Sequence, residues 1–345
     1  MSRVRIVVAA AIVVALLIPI SPAAQTPAPA AMFRFSADDM WLNLHHFLWV
    51  LGRAENKEPD AGRIAVAGAP VESALGRARL TEVERTSWAN AVAAYAATLS
   101  KIPSVLSLEL GRVAVPLSAI GDRPTLEGVA IDAQVRAVLE AAAPAYRNAW
   151  WPAHRARHQA YHTRLMSLLD RHGAAMHDFI TRVYGLQWPP EGFPVHYAAY
   201  VSPQGNYSIS SPSGPMLVLE TNENPANAGL YPLEIVFHEG MHQWDRDVAT
   251  LLRGQAERLN VTLPIDLSHA LIFYTAGDAV RRIDPAYVPL ADFSGIWGFR
   301  LSGSPVPAER LLEPLRARWQ PYLDGRGTRD EVLAAMVAAA AAATP

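Results

Sequence analysis

The spacing of apolar positions changes character along this chain. Over 41–48, Trp41-Leu42-Asn43-Leu44-His45-His46-Phe47-Leu48, the pattern predicts a buried helix that starts at Asp38 or Asp39. Thr81 followed by Glu84 has the layout of a capping box, and a helix is expected from there to about Ser100. The stretch 105–120 is apolar and partly β-branched, a pattern that fits strand and helix equally. A helix over 133–142 should stop before Pro144, whose ring and missing N–H oppose continuation. A long helical pattern begins at Trp151-Pro152 and extends to Tyr184, with Gly173 as a candidate break.

After Pro189-Pro190 and Gly192 the texture shifts to short β-branched and aromatic runs. Those at 195–201, 207–210 and 216–220 are separated by turn residues at 203–205 and 212–215, which predicts three short antiparallel strands. Pro232 suits the first turn of a helix, which should run to about Leu252. A further helix over about 269–282 can start at Asp266 or Ser268, and an Ala-rich helix begins at Arg329. Helices, a small sheet and helices again make the expected fold class α+β and mostly helical, with a small antiparallel sheet.

Composition narrows the classes of function. The 345 residues are 51% hydrophobic and 18% charged, enough for a sizeable core and too apolar for a disordered chain. A net charge of −2 without basic clusters gives no footprint for nucleic acid. Arg3 and Arg5, the apolar run 6–20 and the small residues Ser21-Pro22-Ala23-Ala24 have the layout of a secretory signal peptide. The expected organisation is a signal peptide over 1–24, a linker over 25–31, a helical region over 32–190 and, over 191–345, a region that holds the sheet and the later helices. The mature protein is expected to be exported, periplasmic or secreted, with no stable membrane insertion. The chain has no Cys, so a metal site here can use only His, Asp, Glu and water.

The segment His238-Glu239-Gly240-Met241-His242 carries that possibility. Residues four apart on a helix share a face, so His238 and His242 can hold one ion. Glu239 lies about 100° round the helix, beside the ion rather than on it. There a carboxylate can take a proton from metal-activated water and pass it to a leaving amine. The apolar neighbours Ile235, Val236 and Phe237 suit a buried helix.

With this motif the chain resembles the zincin metallopeptidases over about 195–282, and the specific part is His238-Glu239-Gly240-Met241-His242. The resemblance implies Zn2+ held by His238 and His242, Glu239 as catalytic base, and a peptide or protein substrate. It also implies an edge strand that binds an extended peptide, with 216–220 as that strand here. The metzincin continuation would need Gly at 245 and His at 248, where this chain has Asp245 and Val248. The gluzincin-like branch takes a Glu from a downstream helix, and the helix here has none. His269 and Asp278 are the candidates for third ligand; nine residues apart, they face opposite ways, and His269 is favoured because a neutral imidazole is a strong zinc ligand. Asp245 and Glu234, one turn after and before the pair, can orient the imidazoles. Tyr274 is the candidate oxyanion donor.

Two other histidine groups lie elsewhere in the sequence. His154, His158 and His162 share a helix face among Arg155, Arg157 and Arg164, which repel a cation, so a polar, partly solvated face is expected. Either His45 or His46, but not both, could reach the cleft. The rivals to an exported zinc peptidase are a zinc hydrolase of another bond, an inactive metal-binding or structural envelope protein that keeps the motif helix, and a decayed peptidase. Neither a Gly-x-Ser-x-Gly elbow nor a phosphate loop is present.

Overall fold

The structure, a computed structural model, describes residues 32–63, 65–211, 214–298 and 307–343. The expected signal peptide and linker lie outside the described residues. Among those residues no helix is long and apolar enough to cross a membrane.

Strand β1 (Phe33–Ser36) leads into a helical layer: α1 (Met40–Glu55), α2 (Ala69–Arg77), α3 (Glu82–Ala97), α4 (Leu108–Ser118) and α5 (Ala133–Ala149). Helix α6 (Trp151–Tyr184) crosses to the sheet, formed with β2 (Phe193–Ala198), β3 (Tyr207–Ser211) and β4 (Gly214–Glu220). A second helical layer follows: α7 (Tyr231–Met241), α8 (Asp245–Leu259), α9 (Leu267–Arg281) and the C-terminal α10 (Arg329–Ala343). The fold is α+β and mostly helical, as the pattern predicts.

The sheet differs from expectation. It has four strands in the order β1-β2-β4-β3 and is mixed, not antiparallel. β1–β2 and β2–β4 are parallel, and only β3–β4 is antiparallel. The stretch expected to be the edge, 216–220, is interior; β3 forms the edge instead. β1 escaped the sequence reading because four residues are too few to establish alternation.

Period-2 alternation lets the central strand β4 divide its side chains between two cores. Leu217 and Leu219 of β4 join one core with α6 to α10, whereas Met216 and Val218 join the other with α1 to α5. The boundary expected at residue 190 is therefore crossed. Phe33 of β1 and most of α6 belong to the core of the later residues, and 198–201 to that of the earlier ones.

One local expectation holds: Thr81 caps α3 in a complete capping box with Glu84. The stretch 105–120, open between strand and helix, contains helix α4, capped by Ser107. Others yield to packing. Helix α5 continues through Pro144, because burial of Ala142, Ala143, Ala145 and Tyr146 around it outweighs a cost of about 3 kcal/mol. Gly173 does not interrupt α6, which runs unbroken for 34 residues. His154 and His158 are fully buried, not solvated. His154 meets Tyr146 and Glu72, and His158 meets Thr221 and Asn43, so partners replace the water they lose.

Where β4 ends, Glu220 is buried beside the loop that leads to the motif helix. Burial pushes its carboxyl up to about 8, against hydrogen bonds from the Val201 N–H and from Asn224, Asn222 and Asn227. A carboxyl whose folded pKa is raised stabilises the fold fully below its unfolded value, and that contribution is lost as pH rises through the folded value. Glu220→Gln removes the group. Urea unfolding of both proteins from pH 4 to 9 should show wild type losing stability relative to the variant between about 4.5 and 8. A pH-independent difference between them would contradict the assignment.

Candidate metal centre

Helix α7 starts at Tyr231-Pro232, where proline costs no hydrogen bond, and is buried along almost its whole length. It lies against Trp188. A Cβ placed on Gly240 would come within 2.9 Å of Trp188 Cη2 and 3.6 Å of Phe193, so the middle of the motif admits only glycine at this separation. The helix does not run smoothly to Leu252. It tightens into a 3-10 turn at His242–Trp244 before α8 begins. That turn sends Trp244 into the core against Tyr184 and Trp188.

His238 and His242 face each other, with their Nε2 atoms 3.1 Å apart. His269, near the start of α9, joins them. One nitrogen of each of the three rings lies within 4.8 Å of those of the other two, so this group can hold a metal ion. Phe273, one turn after His269, stacks on that ring at 4.7 Å and contacts His238 at 4.2 Å. It forms an apolar wall that the sequence reading did not single out, although its i+4 spacing from His269 places it on the same face. His238 is buried, while His242 and His269 are half-buried, so the cluster opens to one side.

Protonation favours ligation. Burial, with the neighbouring His242 and His269, lowers the His238 pKa well below the ordinary range. Burial and His242 bring His269 down to about 3. Both rings are thus neutral, the form that donates a lone pair to a metal. For His242 burial opposes protonation, but the hydrogen bond to Asp245 and the charges of Glu239 and Asp245 outweigh it and raise the pKa. Asp245 Oδ2 lies 2.9 Å from His242 Nδ1, which directs the other ring nitrogen into the cluster.

Glu239 sits beside this group, buried, and burial pushes its carboxyl up to about 7. Ser208 of β3 hydrogen-bonds it, yet Oε2 has no partner among the described residues, and neither has His238 Nδ1. Buried polar atoms without partners are uncommon and costly. Ser208 was not foreseen; its signal was the alternation of β3, which turns Ser208 and Ser210 to the side opposite Tyr207 and Ile209.

The remaining candidates lie elsewhere. Asp278 is held by Arg282 at 2.8 Å and Gln320 at 3.0 Å, on the far side of α9 from His269. The Tyr274 hydroxyl donates to Gln320 at 2.8 Å, so the structure does not bring it to the histidines. Glu234 accepts from Tyr287 and from the Leu290 N–H, tying α7 to the segment after α9 instead of orienting His238. His45 pairs with Tyr95 and His46 with Tyr207, and neither is among the three rings that converge.

No protein family, curated protein or solved structure matches this chain.

Two outcomes are expected. Elemental mass spectrometry of the purified chain should find about one metal ion, lost in His238→Ala, in His242→Ala and in His269→Ala but kept in Asp278→Ala. Retention in His269→Ala would remove it from the site. Gly240→Ala should destabilise the fold by about 1–2 kcal/mol in denaturant titration. Overpacking costs about 1–3 kcal/mol, and the better helix propensity of Ala recovers only up to about 1.

Proposed function

We propose that this protein is an exported zinc-dependent hydrolase that cleaves peptide bonds, with His238, His242 and His269 as the metal ligands and Glu239 as the catalytic base. One observation carries the reading: three imidazoles converge within 4.8 Å beside a buried glutamate whose Oε2 has no partner among the described residues. Tetrahedral zinc with nitrogens at about 2.0–2.1 Å holds those nitrogens roughly 3.3 Å apart. The 3.1 Å between His238 and His242 is close to that separation. Export is supported by the apolar run 6–20 behind Arg3 and Arg5.

Zinc, when bound, supplies a Lewis acid that acidifies water and polarises a carbonyl. The chain supplies the rest. Asp245 holds His242 in one tautomer, and Phe273 keeps His238 and His269 in a dry wall. Glu239 takes a proton as water oxygen bonds to the carbonyl carbon. As the C–N bond breaks, it returns that proton to the departing amine. Ser208 fixes the carboxylate for both transfers. β3 lies alongside as an edge strand with a free side among the described residues, suited to pairing with an extended peptide.

Glu239→Gln separates this reading from that of an inactive metal-binding protein. The variant should keep its metal while hydrolysis of a peptide library falls by about 10²–10⁴, the usual contribution of a general base. Unchanged turnover in the variant, or a metal-loaded wild type that cleaves no peptide, would overturn the proposal.

A further inference from the structure

The hydrolase reading uses only one face of β3. Ser208 meets Glu239 and Ser210 donates to Gln243 at 3.0 Å, but Ile209 turns the other way. Ile209, together with Ser210, lines a groove of about 1010 Å³ whose walls include Tyr95 of α3, Val113 of α4 and Val135 of α5. That volume is at the upper end for ligand sites and exceeds the need of one side chain.

Two features indicate what the groove takes. Its lining is mostly apolar, and the charged residues that border it, Glu109, Arg112 and Asp132, are exposed. Leu106 and Leu108 also line it while remaining 61% and 66% exposed. Apolar surface of this kind favours an apolar occupant, at about 25 cal/mol per Å² covered. Its β3 wall, Ile209 and Ser210, belongs to an edge strand of the sheet, and Ser208 between Tyr207 and Ile209 meets Glu239. An extended chain added to that edge would alternate its side chains between the two faces.

We propose that this groove is the apolar subsite of the cleft: it receives the side chains of an edge-bound peptide that point away from the histidines. The preferred substrate is then an extended segment with bulky apolar residues at alternate positions. This rests on the hydrolase reading, which assigns the other face of β3 to the chemistry.

Gly111 of α4 offers a plug. A Cβ there would have Ile209 Cδ1 as its nearest neighbour, at 3.8 Å, an ordinary contact, so a longer side chain grows between α4 and β3. Replacing a helical glycine also favours the helix. Fluorescence anisotropy on the zinc-loaded Glu239→Gln chain would compare two labelled nonapeptides of equal charge. One carries alternating Leu and Phe, and the other has Ser at those positions. The apolar peptide should bind at least ten-fold tighter. Adding Gly111→Phe should abolish the preference while leaving the Ser peptide, the zinc content and the thermal midpoint unchanged. Val135→Arg, on the α5 wall, should act in the same way and guards against misfolding of the first variant. Equal binding of the two peptides, or a preference that survives both substitutions, overturns the proposal. Binding that depends on Gly111 without cleavage of either peptide by wild type would keep the groove as a peptide site and overturn only the hydrolase reading.

Discussion

The indole of Trp188 is the contact on which the arrangement turns. It packs edge-on against Phe33 of β1 and Phe193 of β2, touches Phe237 of the motif helix and meets Trp244 of the turn that follows. Its Nε1–H donates to the Met32 carbonyl, so the ring is fixed at both ends. Pressed against Gly240, it sets the depth at which α7 lies under the sheet. That depth decides that His238 and Glu239 are buried while His242 is half-buried. A bulkier residue at 240 would push the helix outward and rehydrate Glu239.

Burial then does chemical work at the site. The same desolvation that keeps His238 and His269 neutral raises the Glu239 carboxyl into the range where it can both take and release a proton near neutral pH. The imidazoles and the carboxyl shift in opposite directions, and one apolar environment produces both shifts. Asp245, partly exposed, counteracts burial at His242 alone.

Much of the site was legible in the sequence because its signals are local. The i, i+4 spacing of His238 and His242, and the side position of Glu239, follow from helix geometry alone. His269 could be narrowed by the opposite facing of Asp278, but choosing between them required the packing of α9 against α7. Tyr274 looked plausible by residue type, and only the position of Gln320 removes it. The capping box at Thr81 was readable for the same local reason. The sheet was not: parallel pairing of β1 with β2 joins residues about 160 apart, and no short-range pattern encodes it. His154 and His158 were misread because their partners, Glu72, Asn43 and Thr221, come from distant segments.

Helix α6 has a consequence of another kind. At 1.5 Å per residue its 34 residues extend about 51 Å. Trp151 at one end is bound into the core of α1 to α5, and Tyr161 to Tyr184 into that of α7 to α10. A rod embedded in both cores couples their melting. Fraying of either layer strips support from the same helix, so the two layers should lose structure together, in one cooperative transition rather than two.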